Sequence, residues 1–322
     1  MAGKQLFQKE QKFIDILDKQ GGTPLYELSP EQARQVLLTV QNGKVDMPPV
    51  DVRAAEIDVG KGRQLKADII RPQGIKEKLP VIYYIHGGGW VMGDNVTHRR
   101  LTAELAAMVP AAVVFPMYTQ APEGQFPEVT RDLFAGLKYI VEQGEKLQID
   151  TSKLAVAGDS VGGGMAAIMT LMAKQNGFRP KIAGQILLYP VTAAGFNTES
   201  YQKFADGPWL TKKAMEWFWD QYLPEKTKRL SILVAPLEAE IKELKGLPPA
   251  LVITDENDVL RDEGEAYARK LDAAGVETTS VRFNGTMHDF MMLNALSDTS
   301  AAKTAVALTA LKLRQVLYGR LF

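Results

Sequence analysis

The sequence predicts an α/β fold, a mostly parallel central sheet with helices on both faces, and two observations carry that expectation. The runs PVIYYIHG, AAVVFPMY, KLAVAGDS, IAGQILLYP and PALVITDE are continuously apolar, and most of them lead into a helical stretch. A strand reads this way when helices cover it above and below, whereas a half-exposed strand alternates. The second observation is size. At 322 residues the chain exceeds the roughly 250–300 at which one core stops growing, so a large domain with an appendage is expected.

The elements follow in order. Phe7, Phe13, Ile14, Ile16 and Leu17 recur at helical spacing, and Ser29-Pro30-Glu31 opens a second helix running to Val40. Val50 to Pro72 hold two alternating runs around Gly60-Lys61-Gly62, the pattern of an antiparallel hairpin. The apolar runs come next. Between Pro190 and Gly246 their rhythm lapses into an aromatic, helical insert containing FADGPWL and MEWFWDQYL. Residues 1–50 and 196–246 are therefore expected to form a helical cap over a main α/β domain made of 51–195 and 247–322. Thr299 to Leu317 reads as an amphipathic packing helix.

Composition excludes several functions. Hydrophobic residues make up 46% and charged residues 24%, the balance of a folded globular chain. Lys+Arg and Asp+Glu are each 38, so the charge footprint of a nucleic-acid binder is missing. With no cysteine, disulfides, thiolate nucleophiles and Cys-ligated zinc drop out, and no cofactor or metal is expected. No run approaches the ~18 apolar residues of a membrane span, and the charged N-terminal stretch lacks a signal-peptide core. A cytoplasmic protein without stable membrane insertion is expected. A homodimer is left open.

The chemistry concentrates in three places. Gly158-Asp159-Ser160-Val161-Gly162 ends a buried strand and precedes the helical run MAAIMTLMAKQ, the context of a G-x-S-x-G nucleophile elbow. The competing reading, a dinucleotide-binding turn, needs G-x-G-x-x-G after the first strand, which is absent. His86-Gly87-Gly88-Gly89-Trp90 follows another strand, and its bare glycines expose N–H groups suited to a developing oxyanion. Gly87, Gly88 and Val161 are the candidate donors. His86 is expected to fix the loop, and His98 to lie at the surface or cap a helix. That leaves His288, in a Gly-containing loop after TTSVRF, as the base for Ser160. Its orienting acid falls after PALVIT, where Asp255, Glu256, Asp258, Asp262 and Glu263 compete. Asp262, with Glu265 three residues on, reads as the N-cap of a capping box. Asp258 lies in the loop, where a carboxylate can reach the imidazole Nδ1. Asp255 is the runner-up.

HGGGW at 86–90, GDSVGG at 158–163, DVLRDE at 258–263 and GTMHDF at 285–290 together resemble the hormone-sensitive-lipase-like esterases of the α/β-hydrolase superfamily. Their usual GDSAGG has Val161 for alanine here, DPLRDE has Val259 for proline, and the histidine loop has Asp289 where glycine is common. Family members usually carry YRLAPE where this chain has YTQAPE at Tyr118–Glu123, which loses an arginine and puts local salt-bridging in doubt. The resemblance implies an α/β-hydrolase fold with a cap, short-chain carboxylesters as small-molecule substrates, and selection of Asp258 as the acid.

The expected function is a serine carboxylesterase with catalytic Ser160, Asp258 and His288. Rivals are an amidase or arylformamidase on the same fold, and a non-catalytic ligand receptor, whose known plant instances lack the histidine. Trp217, Phe218, Trp219 and Tyr222 are expected to pack within the cap. Trp90, Phe204 and Trp209 are expected to line the substrate pocket.

Overall fold

In the computed structural model, residues 5–319 are described. The N-terminal stretch forms α1 (Gln8–Gln20) and α2 (Pro30–Val40). Helix α2 starts as its sequence requires: Pro30 occupies the first turn, and Ser29 and Gln32 close a reciprocal capping box. The hairpin follows as β1 (Val50–Gly60) and β2 (Arg63–Pro72), with Val50 opposite Pro72 and Gly60 opposite Arg63. Then come β3 (Leu79–Ile85), α3 (Arg99–Met108), β4 (Ala112–Met117), α4 (Glu128–Glu142), the single turn α5 (Gly144–Leu147), β5 (Ile149–Asp159), α6 (Val161–Gln175) and β6 (Gly184–Leu188). The insert contributes α7 (Glu199–Lys203), α8 (Lys212–Tyr222) and α9 (Ile241–Leu244). The chain closes with β7 (Ala250–Asn257), α10 (Arg261–Ala273), β8 (Thr278–Met287) and α11 (Ser300–Tyr318).

Among the described residues eight strands form one sheet in the order β1-β2-β4-β3-β5-β6-β7-β8. Strand β2 is antiparallel to both neighbours, and β4, β3, β5, β6, β7 and β8 run parallel. Adjacent residues of β3 show the two covered faces, because successive side chains of a strand point opposite ways. Tyr83 donates to the Leu133 carbonyl of α4 at 2.9 Å. Tyr84 points to the other side, where its ring meets His98 at the start of α3, and its hydroxyl donates to Asp159 at 2.8 Å. Both tyrosines are fully buried, so each hydroxyl needs its acceptor.

The predicted capping box before α10 is not formed. That helix begins at Arg261, so Asp262 sits in its first turn and accepts from the Ser200 N–H at 2.7 Å, while Glu265 binds Arg282 and Thr254. The backbone N–H at the helix start goes to Asp258 instead, from Leu260 at 3.0 Å. Thr299 does cap α11, accepting from Ala302 at 3.1 Å.

The N-terminal stretch and the insert meet over the carboxyl ends of the parallel strands, where ligands of open α/β sheets bind. Phe7 donates to the Gly285 carbonyl at 2.8 Å, and the Gln41 side chain both donates to the Thr97 carbonyl at 2.6 Å and accepts from the Asn294 N–H at 2.8 Å. Among the described residues no helix is long and apolar enough to cross a membrane.

Candidate active site

Ser160 joins β5 to α6 in a left-handed turn, φ 53° and ψ −124°. The turn is fixed on both sides: the Ser160 N–H donates to Leu188 at 2.8 Å, and its carbonyl accepts from Val191 at 3.0 Å. Glycines flank it because there is no room for anything else. A Cβ on Gly158 would lie 2.4 Å from the Gly162 carbonyl oxygen, and one on Gly162 would lie 2.1 Å from that of Ile85. The Ser160 side chain is buried rather than exposed, and it faces a partly open pocket of about 450 Å³.

The strand ends β7 and β8 bring the other two groups to it. His288 Nε2 lies 2.9 Å from Ser160 Oγ, and His288 Nδ1 lies 2.7 Å from Asp258 Oδ2. A carboxylate can only accept, so Nδ1 carries the proton and Nε2 is left as the acceptor facing the serine. Burial disfavours the imidazolium, but the carboxylates of Asp258, Asp289 and Asp255 outweigh it and hold the His288 pKa above the usual histidine value. Asp255, the rival acid, is buried, and neither of its carboxylate oxygens has a hydrogen-bond partner among the described residues. Burial first and the neighbouring Asp258 second push its pKa well above the usual carboxylate range, which disfavours its charged form.

The three glycines of the loop after β3 are each required. A Cβ on Gly87 would lie 2.3 Å from Asp159 Oδ2, and one on Gly88, at φ +103°, would lie 2.3 Å from the Met92 carbonyl oxygen. A Cβ on Gly89, at φ +63°, would run into the ring of Phe218 in α8. Among the described residues neither the Gly87 nor the Gly88 N–H donates a hydrogen bond. Val161 is the first residue of α6, so its N–H has no acceptor within the helix. His86 holds the loop, as its place in the sequence suggests. Its Nδ1 lies 2.7 Å from the Gly87 carbonyl, and its ring stacks on Tyr118 at 4.3 Å. Burial, then the neighbouring His98, lowers its pKa to about 4, which keeps it neutral.

Residues 82–292 match a family model described as the alpha/beta hydrolase fold. The chain is an α/β-hydrolase. Within that family it is similar to an ethyl acetate hydrolase of Pseudomonas putida, 32% identical over 296 residues that cover 90% of this chain and 92% of that one. It is also similar to the carboxylesterase NlhH of Mycobacterium tuberculosis, 36% identical with coverage of 75% and 76%. Among solved structures it matches a thermostable esterase from Pseudomonas putida ECU1011 with TM-score 0.95 and 45% identity, covering 98% of this chain and 99% of that one. The resemblance drawn from HGGGW and GDSVGG holds at the level of the esterase branch of the α/β-hydrolases.

Around the α/β-hydrolase site the pocket residues fall differently from expectation. Trp209 lies on the cavity wall, with Gly88, Ser160 and His288. Phe204 does not line the cavity, because it ends α7 and packs inward beneath the Arg261 guanidinium. Trp90 is also off the wall. Its left-handed backbone, φ 62°, sets the indole against α8, stacked on Tyr222 at 4.5 Å and beside Trp219 at 4.6 Å. Phe218, read from the sequence as packing only within the insert, contributes to the wall, and Leu25, Tyr26, Leu37, Met92 and Met215 complete an apolar lining that no motif marks out.

Two buried contacts also depart from expectation. His98 stands at the N-cap position of α3 as expected, but it is not at the surface and its side chain caps nothing: it is buried, with Nε2 at 3.2 Å from Asp159 Oδ2. Burial works to lower its pKa, but Asp159 outweighs that and holds it above the usual value. The Tyr118–Glu123 stretch does have a salt-bridge partner, supplied from a distance. Arg34 of α2 binds Glu123 at 2.6 and 3.2 Å and donates to the carbonyls of Val91 and Ala121 at 3.0 Å each. The cation thus comes from the N-terminal stretch and fastens it to the glycine loop.

Proposed function

We propose that this α/β-hydrolase is a serine carboxylesterase in which Ser160 is the nucleophile, His288 the general base and acid, and Asp258 its orienting partner. Its place among esterases and carboxylesterases makes the chain a carboxylic ester hydrolase. The observation that carries the residue assignment is the unbroken line from Asp258 Oδ2 through His288 to Ser160 Oγ, 2.7 and 2.9 Å. In this reading the Ser160 proton passes to His288 Nε2 as Oγ attacks the ester carbonyl. The oxyanion is held by the N–H groups of Gly87, Gly88 and Val161, where one donor is worth about 2.7–4 kcal/mol of barrier. The imidazolium then protonates the departing alcohol, and the neutral imidazole activates a water that hydrolyses the acyl-enzyme. Residues 1–50 and 196–246 act as a cap that bounds the substrate. A fluorophosphonate probe should label the protein stoichiometrically, with the adduct on Ser160; a modified residue elsewhere would overturn the assignment.

The base imposes a pH dependence. Only neutral imidazole accepts the serine proton, so kcat/KM should fall as pH drops through the His288 pKa. Because neighbouring carboxylates raise that pKa, the acidic limb should lie above the ~6.5 of an ordinary histidine. A profile that stays flat down to pH 5 would exclude His288 as the base.

The cavity sets a length limit. Each methylene buried on an apolar wall contributes about 0.8 kcal/mol, close to fourfold in kcat/KM, until the roughly 450 Å³ is filled. Across p-nitrophenyl esters, efficiency should rise from acetate to butyrate or hexanoate and then collapse. A steady climb through palmitate would mean that the cap opens and the enzyme acts as a lipase.

A further inference from the structure

Asp289 stands at the edge of this site in an unusual state. Its backbone is left-handed, φ 67°, a region that favours glycine and that aspartate tolerates better than most residues. It is buried on the cavity wall. One carboxylate oxygen, Oδ2, accepts from the Trp209 indole Nε1 at 2.9 Å. The other, Oδ1, is buried without a hydrogen-bond partner among the described residues and lies 3.6 Å from His288 Nε2. That is too long for a hydrogen bond, yet it is the nitrogen that must take the Ser160 proton and hand it to the leaving group. A buried carboxylate oxygen left unpaired beside a potential donor is costly, and something must keep it from turning onto that donor.

We propose that Trp209 is a positioning residue that acts through Asp289: its indole N–H holds the carboxylate away from His288 Nε2, so that this nitrogen stays available to Ser160. Released, Asp289 accepts a hydrogen bond from a protonated Nε2. The imidazolium is then bound by Asp258 on one side and Asp289 on the other, and it can neither accept the serine proton nor face the leaving oxygen. Trp209 belongs to the insert and packs on Phe13 of α1, ring centroids 5.7 Å apart. The seating of both cap segments thereby bears on the proton carrier. The groups facing His288 are Asp258 and Asp255 from the β7 end, Asp289 beside it, and the edge of Tyr189 at 5.0 Å, with the Asp159–His98 pair behind the elbow. Of these groups it is Asp289 whose carboxylate is tied by a hydrogen bond to an insert side chain.

The inference rests on His288 as the base, and a double-mutant cycle on p-nitrophenyl butyrate across pH 5–10 tests it. Trp209→Phe keeps a ring and loses the N–H. It should lower kcat at pH 7 by about tenfold or more, the scale of one charge-assisted hydrogen bond, with KM changed little and the acidic limb moved to higher pH. Adding Asp289→Asn should restore kcat to within a few fold of Asp289→Asn alone and bring the limb back down. An unrescued loss would show that Trp209 only shapes the pocket, and an unchanged Trp209→Phe would show that no restraint is needed; either overturns the proposal. Should Trp209→Phe fail to fold, Phe13→Leu, which loosens the indole but keeps its N–H, should give the same shift at smaller amplitude, again relieved by Asp289→Asn, and an unmoved limb would overturn it. Activity surviving in His288→Ala would instead defeat the base assignment itself.

Discussion

Ser160→Ala is expected to remove about 10⁶ of kcat on an activated ester, the scale of losing a triad nucleophile, while the protein keeps its fold and melting temperature. The loss is chemical because the serine side chain contributes little packing: its Oγ points into the cavity toward His288 Nε2. The backbone that strains the turn is held by hydrogen bonds to Leu188 and Val191 that an alanine keeps. The glycine loop and the cavity also remain, so the variant should still bind ester and accelerate its hydrolysis slightly over water. Burst kinetics with p-nitrophenyl butyrate check this. More than a few per cent of wild-type kcat would mean that Ser160 does not form the acyl-enzyme.

Asp258→Asn should cost roughly 10⁴-fold in kcat, about 5.4 kcal/mol of barrier. The environment dictates the direction. Asp258 Oδ1 accepts the Leu260 N–H at 3.0 Å, so an asparagine keeps its oxygen there and turns its NH2 toward His288 Nδ1. That nitrogen must then become an acceptor, the proton moves to Nε2, and Ser160 faces a donor instead of a base. Asp255→Asn is the control. Asp255 makes no hydrogen bond to His288, and burial and Asp258 already disfavour its charge, so a neutral amide of the same shape should change kcat only a few fold. Steady-state kinetics on both variants decide between the two acids, and an interchange of the results would transfer the role to Asp255.

The parallel core was legible because strands buried on both faces leave continuous apolar runs, and the elbow because its glycines are dictated by contacts under 2.5 Å. Strand β8 was harder to bound. It alternates in exposure at the sheet edge and runs on to Met287, so His288 sits at a strand end instead of in an open loop. The pocket resisted reading for a different reason. Trp90 and Trp209 both have left-handed backbones, yet one ring stacks on α8 and the other reaches the cavity, a distinction made by tertiary packing and not by residue type. His98 and Arg34 escaped because their partners, Asp159 and Glu123, lie 61 and 89 residues away. Periodicity carries no information at that distance.

The fastening of the first helices to the last strands has a consequence for how the enzyme is born. Gln41 finds its partner Asn294 across 253 residues. At about 5–20 residues per second, the N-terminal helices leave the ribosome some 13 to 50 s before the segment that receives them. During that interval Phe13 and Leu37, buried in the finished protein, have no core to enter. The wall of the cavity that α2 forms is therefore made long before the segment that seats it, and activity should appear only after the region around Asn294 has emerged.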